Sequence, residues 1–246
     1  MDTKLTMQLT LPVQLPVEKQ LSNFVAGPNV ALIEQAAAFI EGLVLPEHHF
    51  QQLFLHGGTA SGKSHLLYAL CHFANERNIE HYYLTLSDCT QYPPALLQGF
   101  RDIPLLCIDD VDGISSDRNW QIAIFDLINQ RREIDHGLLI FASTKNISQP
   151  ECDTMSIQVL PDLVSRLQWG QVYQLHALSD DDKRELLIRR AALKGMKFSD
   201  KAISYLLNHC ERSTQILVDT IERLDQRSLR EQRALTVDLI KRELGL

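Results

Sequence analysis

Residues Gly57-Gly58-Thr59-Ala60-Ser61-Gly62-Lys63-Ser64 satisfy the spacing G-x-x-x-x-G-K-[ST], and each fixed position has a chemical job. Glycines let the backbone curl so that its N–H groups face inward, and a helix starting at the end of the loop adds the positive end of its dipole. Lys63 supplies a point charge for outer phosphates, the Ser64 hydroxyl can ligate Mg²⁺, and His65 adjoins them. The chemistry implied is capture of the phosphate chain of a nucleotide. From background residue frequencies, such a match arises by chance in roughly one chain in a hundred of this length. The other half of such a site is an apolar strand ending in acid, and Leu105-Leu106-Cys107-Ile108-Asp109-Asp110 supplies it. Asp109 would hold the Mg²⁺ shell and Asp110 would orient water; the competing reading is a buried strand ending in a solvated turn.

These residues need a strand before the loop and a helix after it. Leu53 to His56 reads as a short buried strand and Lys63 to Arg77 as a helix, with another helix earlier from Ala31 to Gly42. His81 to Leu86, Leu105 to Asp109, Leu138 to Ser143 and Gln171 to Leu175 are further strand candidates. Strands alternating with helices predict a parallel sheet sandwiched by helices, an α/β fold. Trp120, Ile122, Ile124, Phe125, Leu127 and Ile128 make a dense apolar helix that reads as core. Beyond Leu178 the strand signals stop. Ser179 precedes three aspartates and an apolar-periodic run, a helix start with a Ser-x-x-Asp capping box, and Gly195 ends that helix. Helical runs follow over Ser199 to Cys210 and Ser213 to Arg227, and Thr236 caps a last short one. The expected organisation is therefore an extended tail over 1–20, interrupted by Pro12 and Pro16, then an α/β nucleotide-binding domain over 21–177 with five strands, then a small all-helical domain over 178–246.

Composition narrows the function classes. The chain has 246 residues, 45% hydrophobic and 22% charged, as in an ordinary globular protein of one large domain with a small appendage. Its 24 basic against 31 acidic residues give a net charge of −7, poor footing for a protein that grips DNA by neutralising phosphates. Five cysteines (Cys71, Cys89, Cys107, Cys152, Cys210) without a C-x-x-C pair predict reduced thiols, not a disulfide framework or zinc ribbon. The nine histidines include no H-E-x-x-H, and His65 with His72 merely share a helix face, so packed or solvated histidine is the better account. With no signal peptide and no apolar stretch long enough to span a bilayer, the expectation is a soluble cytoplasmic protein without membrane contact.

An α/β nucleotide domain followed by a small helical lid resembles the AAA+ class, in which nucleotide lies between the two parts and a neighbouring subunit completes the site. The resemblance implies that Ser143, at the end of the Leu138 to Ala142 run, is the polar first sensor, with Thr144 the adjacent alternative. Leu160-Pro161-Asp162-Leu163-Val164-Ser165-Arg166-Leu167 resembles the arginine-finger box of the bacterial initiator family, DnaA. That implies an Arg166 that reaches in trans into a partner's nucleotide; as bare sequence it would equally pair with Asp162 one turn back. Phe24-Val25-Ala26-Gly27-Pro28-Asn29 is similar to the segment at which that family seats adenine, which implicates Val25 and Asn29.

Gln8-Leu9-Thr10-Leu11-Pro12-Val13 resembles the short peptide by which bacterial proteins dock on the replicative sliding clamp, the β subunit of DNA polymerase III. Gln8 would bond in a polar notch while Leu9, Leu11, Pro12 and Val13 fill an apolar groove; the alternative is a tail that folds back as an edge strand. Because the chain stops after Leu239-Ile240-Lys241-Arg242-Glu243-Leu244, no DNA-reading helix-turn-helix is expected, and the pattern is that of the DnaA-related regulatory factors. Such factors act on DnaA, are recruited by DNA-loaded clamp, inactivate the initiator by promoting hydrolysis of its ATP, bind no DNA sequence directly, and can form homo-oligomers. One position departs from the pattern: Gln215 stands where the lid's second-sensor arginine is expected, with Arg212 nearby. Gln cannot neutralise phosphate, so ADP is expected to be favoured over ATP, with Mg²⁺, and intrinsic turnover to be weak. An AAA+ helicase loader, or a small-molecule P-loop kinase or hydrolase with Asp110 catalytic, are the alternatives.

Overall fold

The computed structural model describes residues 16, 19–87, 91–146, 159–196, 198–211, 213–231 and 236–245. Among them, the strand candidates form one parallel sheet: β1 (Gln51–His56), β2 (His81–Thr85), β3 (Leu105–Asp109), β4 (Leu138–Ser143) and β5 (Gln171–Gln174), in the order β2-β3-β4-β1-β5. Every residue of β3 and β4 is buried, as central strands covered on both faces require, whereas β2 and β5 lie at the edges and are partly open. The two-residue side-chain period divides the core. Leu53, Leu55, Cys107 and Ile140 point to one face, where α1 (Val30–Gly42) and α2 (Lys63–Asn75) pack with Ile40, Leu66 and Leu70. Phe54, Leu106, Ile108 and Phe141 point to the other, against α3 (Arg118–Ile134) and α4 (Pro161–Leu167) through Trp120, Ile124, Ile128 and Leu163. The expected α/β sandwich is thus observed, with boundaries within a few residues of those expected.

The apolar helix around Trp120 is not core all round. Its buried stripe is Trp120, Ile124, Leu127 and Ile128, while Ile122 is 42% exposed and Phe125 only partly buried, so α3 presents a second, outward apolar face. Arg131 on the same helix is 1% exposed and donates to the carbonyls of Phe100 and Arg101, at 2.9 and 3.4 Å, and to those of Pro104 and Leu138, each at 3.4 Å. Burial lowers its pKa to about 10, still charged at neutral pH.

After β5 the chain turns helical: α5 (Asp180–Leu193), α6 (Asp200–His209), α7 (Thr214–Glu231) and α8 (Val237–Leu244) enclose a separate core of Leu187, Ile203, Leu206, Leu217, Ile221, Leu224 and Ile240. The expected capping box is present: the Ser179 Oγ accepts from Asp182 N at 3.1 Å while Asp182 accepts from Ser179 N at 3.0 Å. Caps of this kind contribute about 1 kcal/mol each. Helix α7 continues to Glu231, past the expected end at Arg227, because Arg227 bonds forward to Glu231 and across to Glu243 of α8. No described helix is long and apolar enough to cross a membrane. Cys71 and Cys107 are buried free thiols and Cys210 is half-buried; Cys89 and Cys152 lie outside the described residues.

Candidate functional site

The phosphate loop occupies the turn from β1 into α2, at the carboxyl end of the sheet where open α/β sheets bind their ligands. Gly62, with φ +98°, adopts a backbone that side chains rarely tolerate, and a Cβ on Gly57 would lie 2.5 Å from the Leu175 carbonyl. Lys63 is 7% exposed and donates to the carbonyls of Gly57 and Gly58 at 2.8 and 3.0 Å, so its charge is stored on the loop itself. Burial lowers the Lys63 pKa, and Asp109, Asp112 and Asp110 oppose that shift.

Beside the loop lies a cleft of about 390 Å³ between the α/β body and the lid. Thr59, Ala60, Gly62, Lys63, Ser64 and His65 contribute to its wall, together with Asp110, Thr144 and Gln215. Gly57, Gly58, Ser61, Asp109 and Ser143 support that wall without lining it. Asp109 is fully buried and accepts from Tyr83 Oη at 2.8 Å and from Asp110 N at 2.9 Å. Burial and the charge of Asp109 push the Tyr83 phenol well above its usual range. Asp110, in the left-handed region at φ 53°, accepts from Thr85 Oγ1 at 3.0 Å; burial and then Asp109 raise its pKa.

The sensor candidates at the end of β4 converge on one carboxylate. Ser143 Oγ donates to Asp112 Oδ1 at 2.6 Å, while Thr144 N and Oγ1 both donate to Asp112 Oδ2 at 2.6 Å. Ser143 is 2% exposed, so of the two only Thr144 faces the cleft.

The adenine-segment residues lie behind the cleft wall. Asn29 is buried; its amide donates to the Ala26 and His176 carbonyls at 3.1 and 3.0 Å and its oxygen accepts from His176 N at 2.8 Å. It pins residues 26–29 to the segment that follows β5 and leads into the lid. Val25 is also buried, and neither lines the cleft. Sequence reasoning missed several wall residues: Pro16, Lys19, Leu186, Arg190, Asp219 and Glu222. Pro16 also accepts from His72 through its carbonyl, and Lys19 sits 4.3 Å from the Tyr68 ring centre, so this end of the tail touches α2. The His65 ring meets Phe24 edge to face at 5.1 Å, and burial, then Arg190 and Lys19, lower its pKa to about 4. Gln215 Nε2 donates to Asp219 Oδ1 at 2.8 Å; Arg212 lies outside the described residues, as do Gln8, Leu9, Leu11, Pro12 and Val13.

Arg166 lies elsewhere, on α4, away from this cleft. Its Nε donates to Asn129 Oδ1 on α3 at 2.9 Å, and its guanidinium carbon is 3.5 Å from the Trp169 ring centre and 5.3 Å from that of Phe125. Arg132 stands 3.9 Å from the same indole centre. Two guanidiniums so close to one ring need opposite faces, so Trp169 is held between them. The bond is to Asn129, not to Asp162 one turn back. Two buried amides fix α4 at both ends: Gln121 Oε1 accepts from Leu160 N at 2.8 Å, and Gln52 Nε2 donates to the carbonyls of Arg166 and Leu167 at 2.9 and 3.1 Å.

Comparisons with known proteins agree with this layout. The family model described as the bacterial DnaA ATPase domain matches residues 15–174, and the one described as the Hda lid domain matches residues 180–244. Domain III of the Thermotoga maritima replication initiation protein DnaA superposes with a TM-score of 0.75 at 20% identity, covering 94% of this chain and 97% of that one. AMPPCP-bound DnaA from Aquifex aeolicus gives 0.69 at 21% identity over 89% of this chain and 71% of that one. The Thermotoga maritima RuvB Holliday junction branch migration motor gives 0.68 at 15% identity, over 92% and 71%. At these identities the structural likenesses establish the AAA+ fold.

Proposed function

Because this chain belongs to the bacterial DnaA ATPase-domain family and carries the lid of Hda, the DnaA-related AAA+ regulator, we propose that it restrains replication initiation by promoting hydrolysis of the ATP held by DnaA. Residues Gln8 to Val13 recruit it to the DNA-loaded sliding clamp, and Arg166 is the arginine finger presented in trans. The observation that carries this reading is the position of Arg166: outside its own nucleotide cleft, partly exposed, and held by Asn129 and Trp169. A cation fixed there is available to a second protein's nucleotide. On the transferring γ-phosphoryl group it offsets developing charge, an effect worth roughly 10³-fold or more in rate. The protein's own reaction is slow, and it works in the cytoplasm where clamp and initiator meet.

Its own cleft holds an adenine nucleotide, ADP in preference to ATP. Solved DnaA structures hold AMPPCP, an adenine nucleotide analogue, and the loop here has the phosphate-binding spacing of glycines, lysine and serine. Mg²⁺ keeps most of its water and takes one or two carboxylates plus phosphate oxygens. The described residues contain no cluster of three or more His, Cys, Asp or Glu side chains that could cage an ion. A buried Asp109 and the Ser64 hydroxyl are the donor set such a hydrated ion needs. When bound, the ion would neutralise phosphate charge, Lys63, now on the Gly57 and Gly58 carbonyls, would be the loop's cation for the phosphates, and Thr144 on the cleft wall would be the polar sensor.

The test is the hydrolysis rate of ATP prebound to DnaA with DNA-loaded clamp, with and without this protein. Strong stimulation that disappears with Gln8→Ala or Arg166→Ala is the expected result. No stimulation by a folded, nucleotide-binding protein overturns the proposal and moves the assignment to a helicase loader.

A further inference from the structure

The lid presents two helix faces to the phosphate loop, and their charges are uneven. On α7, Gln215, Asp219 and Glu222 fall at i, i+4 and i+7, a single stripe facing the cleft. Two are acidic, and the Gln215 amide is turned along its own helix to Asp219 at 2.8 Å. On α5, Leu186 and Arg190 lie one turn apart and line the same cleft. Among the described wall residues, Arg190 is the one cation that the lid contributes. An entering polyphosphate would therefore meet Lys63 from the loop and an acidic stripe from α7, with Arg190 alone to balance that stripe from the lid. Arg190 is 7% exposed, so its charge reaches the cleft little screened by water. Its field is felt there: it contributes to lowering the pKa of both His65 and Lys19.

We propose that Arg190 binds the nucleotide's phosphates from α5, in place of the α7 arginine that Gln215 has displaced. The proposal rests on the nucleotide-binding reading above and deepens it. The guanidinium fork matches phosphate oxygens in a bidentate way that an amide cannot. A phosphate grip from α5 also ties the lid to the loop at a different point from a grip on α7.

The test is a displacement titration of a fluorescent ADP analogue from the full chain by ADP and by adenosine. It compares wild type, Arg190→Ala, and the double variant Arg190→Ala with Gln215→Arg. Arg190→Ala should weaken ADP by about tenfold or more, since charge-assisted hydrogen bonds are lost, and leave adenosine within about twofold. The double variant should regain most of the ADP affinity, a rescue that a merely structural role would not give. Should Ala unsettle the fold, Arg190→Gln keeps a polar stem of similar reach and carries the same expectations. Unchanged ADP binding, an equal loss for adenosine, or no regain in the double variant would each overturn the inference. A wild type that binds no adenine nucleotide would instead overturn the nucleotide reading and this inference with it.

Discussion

Two cationic regions of this molecule are built on opposite principles. In the cleft, Lys63 and Arg190 are more than nine-tenths buried, and Lys63 is held by backbone carbonyls within reach of three aspartates. At α4, Arg166 is only partly buried and, among the described residues, is held by an amide and an aromatic face and not by a carboxylate. A buried charge with fixed acidic neighbours is suited to holding a ligand that brings its own Mg²⁺ and stays. A cation braced by an indole keeps its charge unneutralised and its outer edge open, which suits brief service to another protein's phosphate. On the function proposed above, the first region would bind and the second would act.

The sharpest way to break the comparison is to delete one cation from each region. Arg166→Ala should lower stimulation of DnaA-bound ATP hydrolysis by roughly 10³-fold or more while leaving ADP binding intact; a loss of ADP affinity measured in the same variant would merge the two regions. Lys63→Ala should do the converse at smaller scale, weakening ADP by about a hundredfold through the loss of a charged phosphate contact. If Lys63→Ala retained full ADP affinity in a titration, the loop would not be the binding region at all.

Legibility divides along the same line. The loop residues could be read because few chemistries need glycines, lysine and serine at that spacing, and the Ser179 capping box because its partners are three residues apart. The support of Arg166 could not. Asn129 is 37 positions away in sequence, and Gln52 is 114; only the packing of α3 and β1 against α4 brings them together. Asp112 likewise joins Ser143 and Thr144 across some thirty residues, and nothing local distinguishes it from Asp110 or Asp109. Val25 and Asn29 are a different case: a motif singled out the segment, and the fold buries both side chains behind the cleft, with Asn29 bonded to Ala26 and His176, which no local pattern foretells. Arg190 carried no signal, since an Arg-Arg pair on a charged helix reads as solvated surface.

The brace at α4 gives a graded test. Trp169→Ala removes the indole that holds Arg166 and Arg132 apart, a stacking contribution of about 1 kcal/mol, so stimulation should fall roughly five- to tenfold with Arg166 still present. Trp169→Phe keeps an aromatic face and should recover most of the rate. Equal loss in both variants, measured at saturating clamp and DnaA, would mean that the aromatic face of Trp169 does not orient the guanidinium.

The smallest expected effect separates the regions by pH. His65 in the cleft has a folded pKa of about 4 against the ordinary 6.5, lowered by burial and then by Arg190 and Lys19. The unfolded chain therefore binds a proton more readily over that interval, and stability must fall as the pH drops from about 6.5 toward 4. Between pH 7.5 and 5.5 the loss from this one group is about 1 kcal/mol, or a fall of roughly 2–4 °C in Tm. His48 and His56, with pKa values also lowered by burial, add in the same direction, so the diagnostic is the difference between wild type and His65→Gln. The variant's melting curve should depend less on pH, and Arg190→Ala should flatten it partway by relieving one of the charges that depress His65. At α4 the described brace is built from Arg166, Arg132, Trp169, Asn129 and Phe125 and includes no histidine, so it should not add to this pH dependence. A His65→Gln variant that retained the full pH dependence of the wild type would mean that His65 is not held neutral by burial and the neighbouring cations, and the contrast between a charge-crowded cleft and an aromatic-braced α4 would lose its electrostatic half.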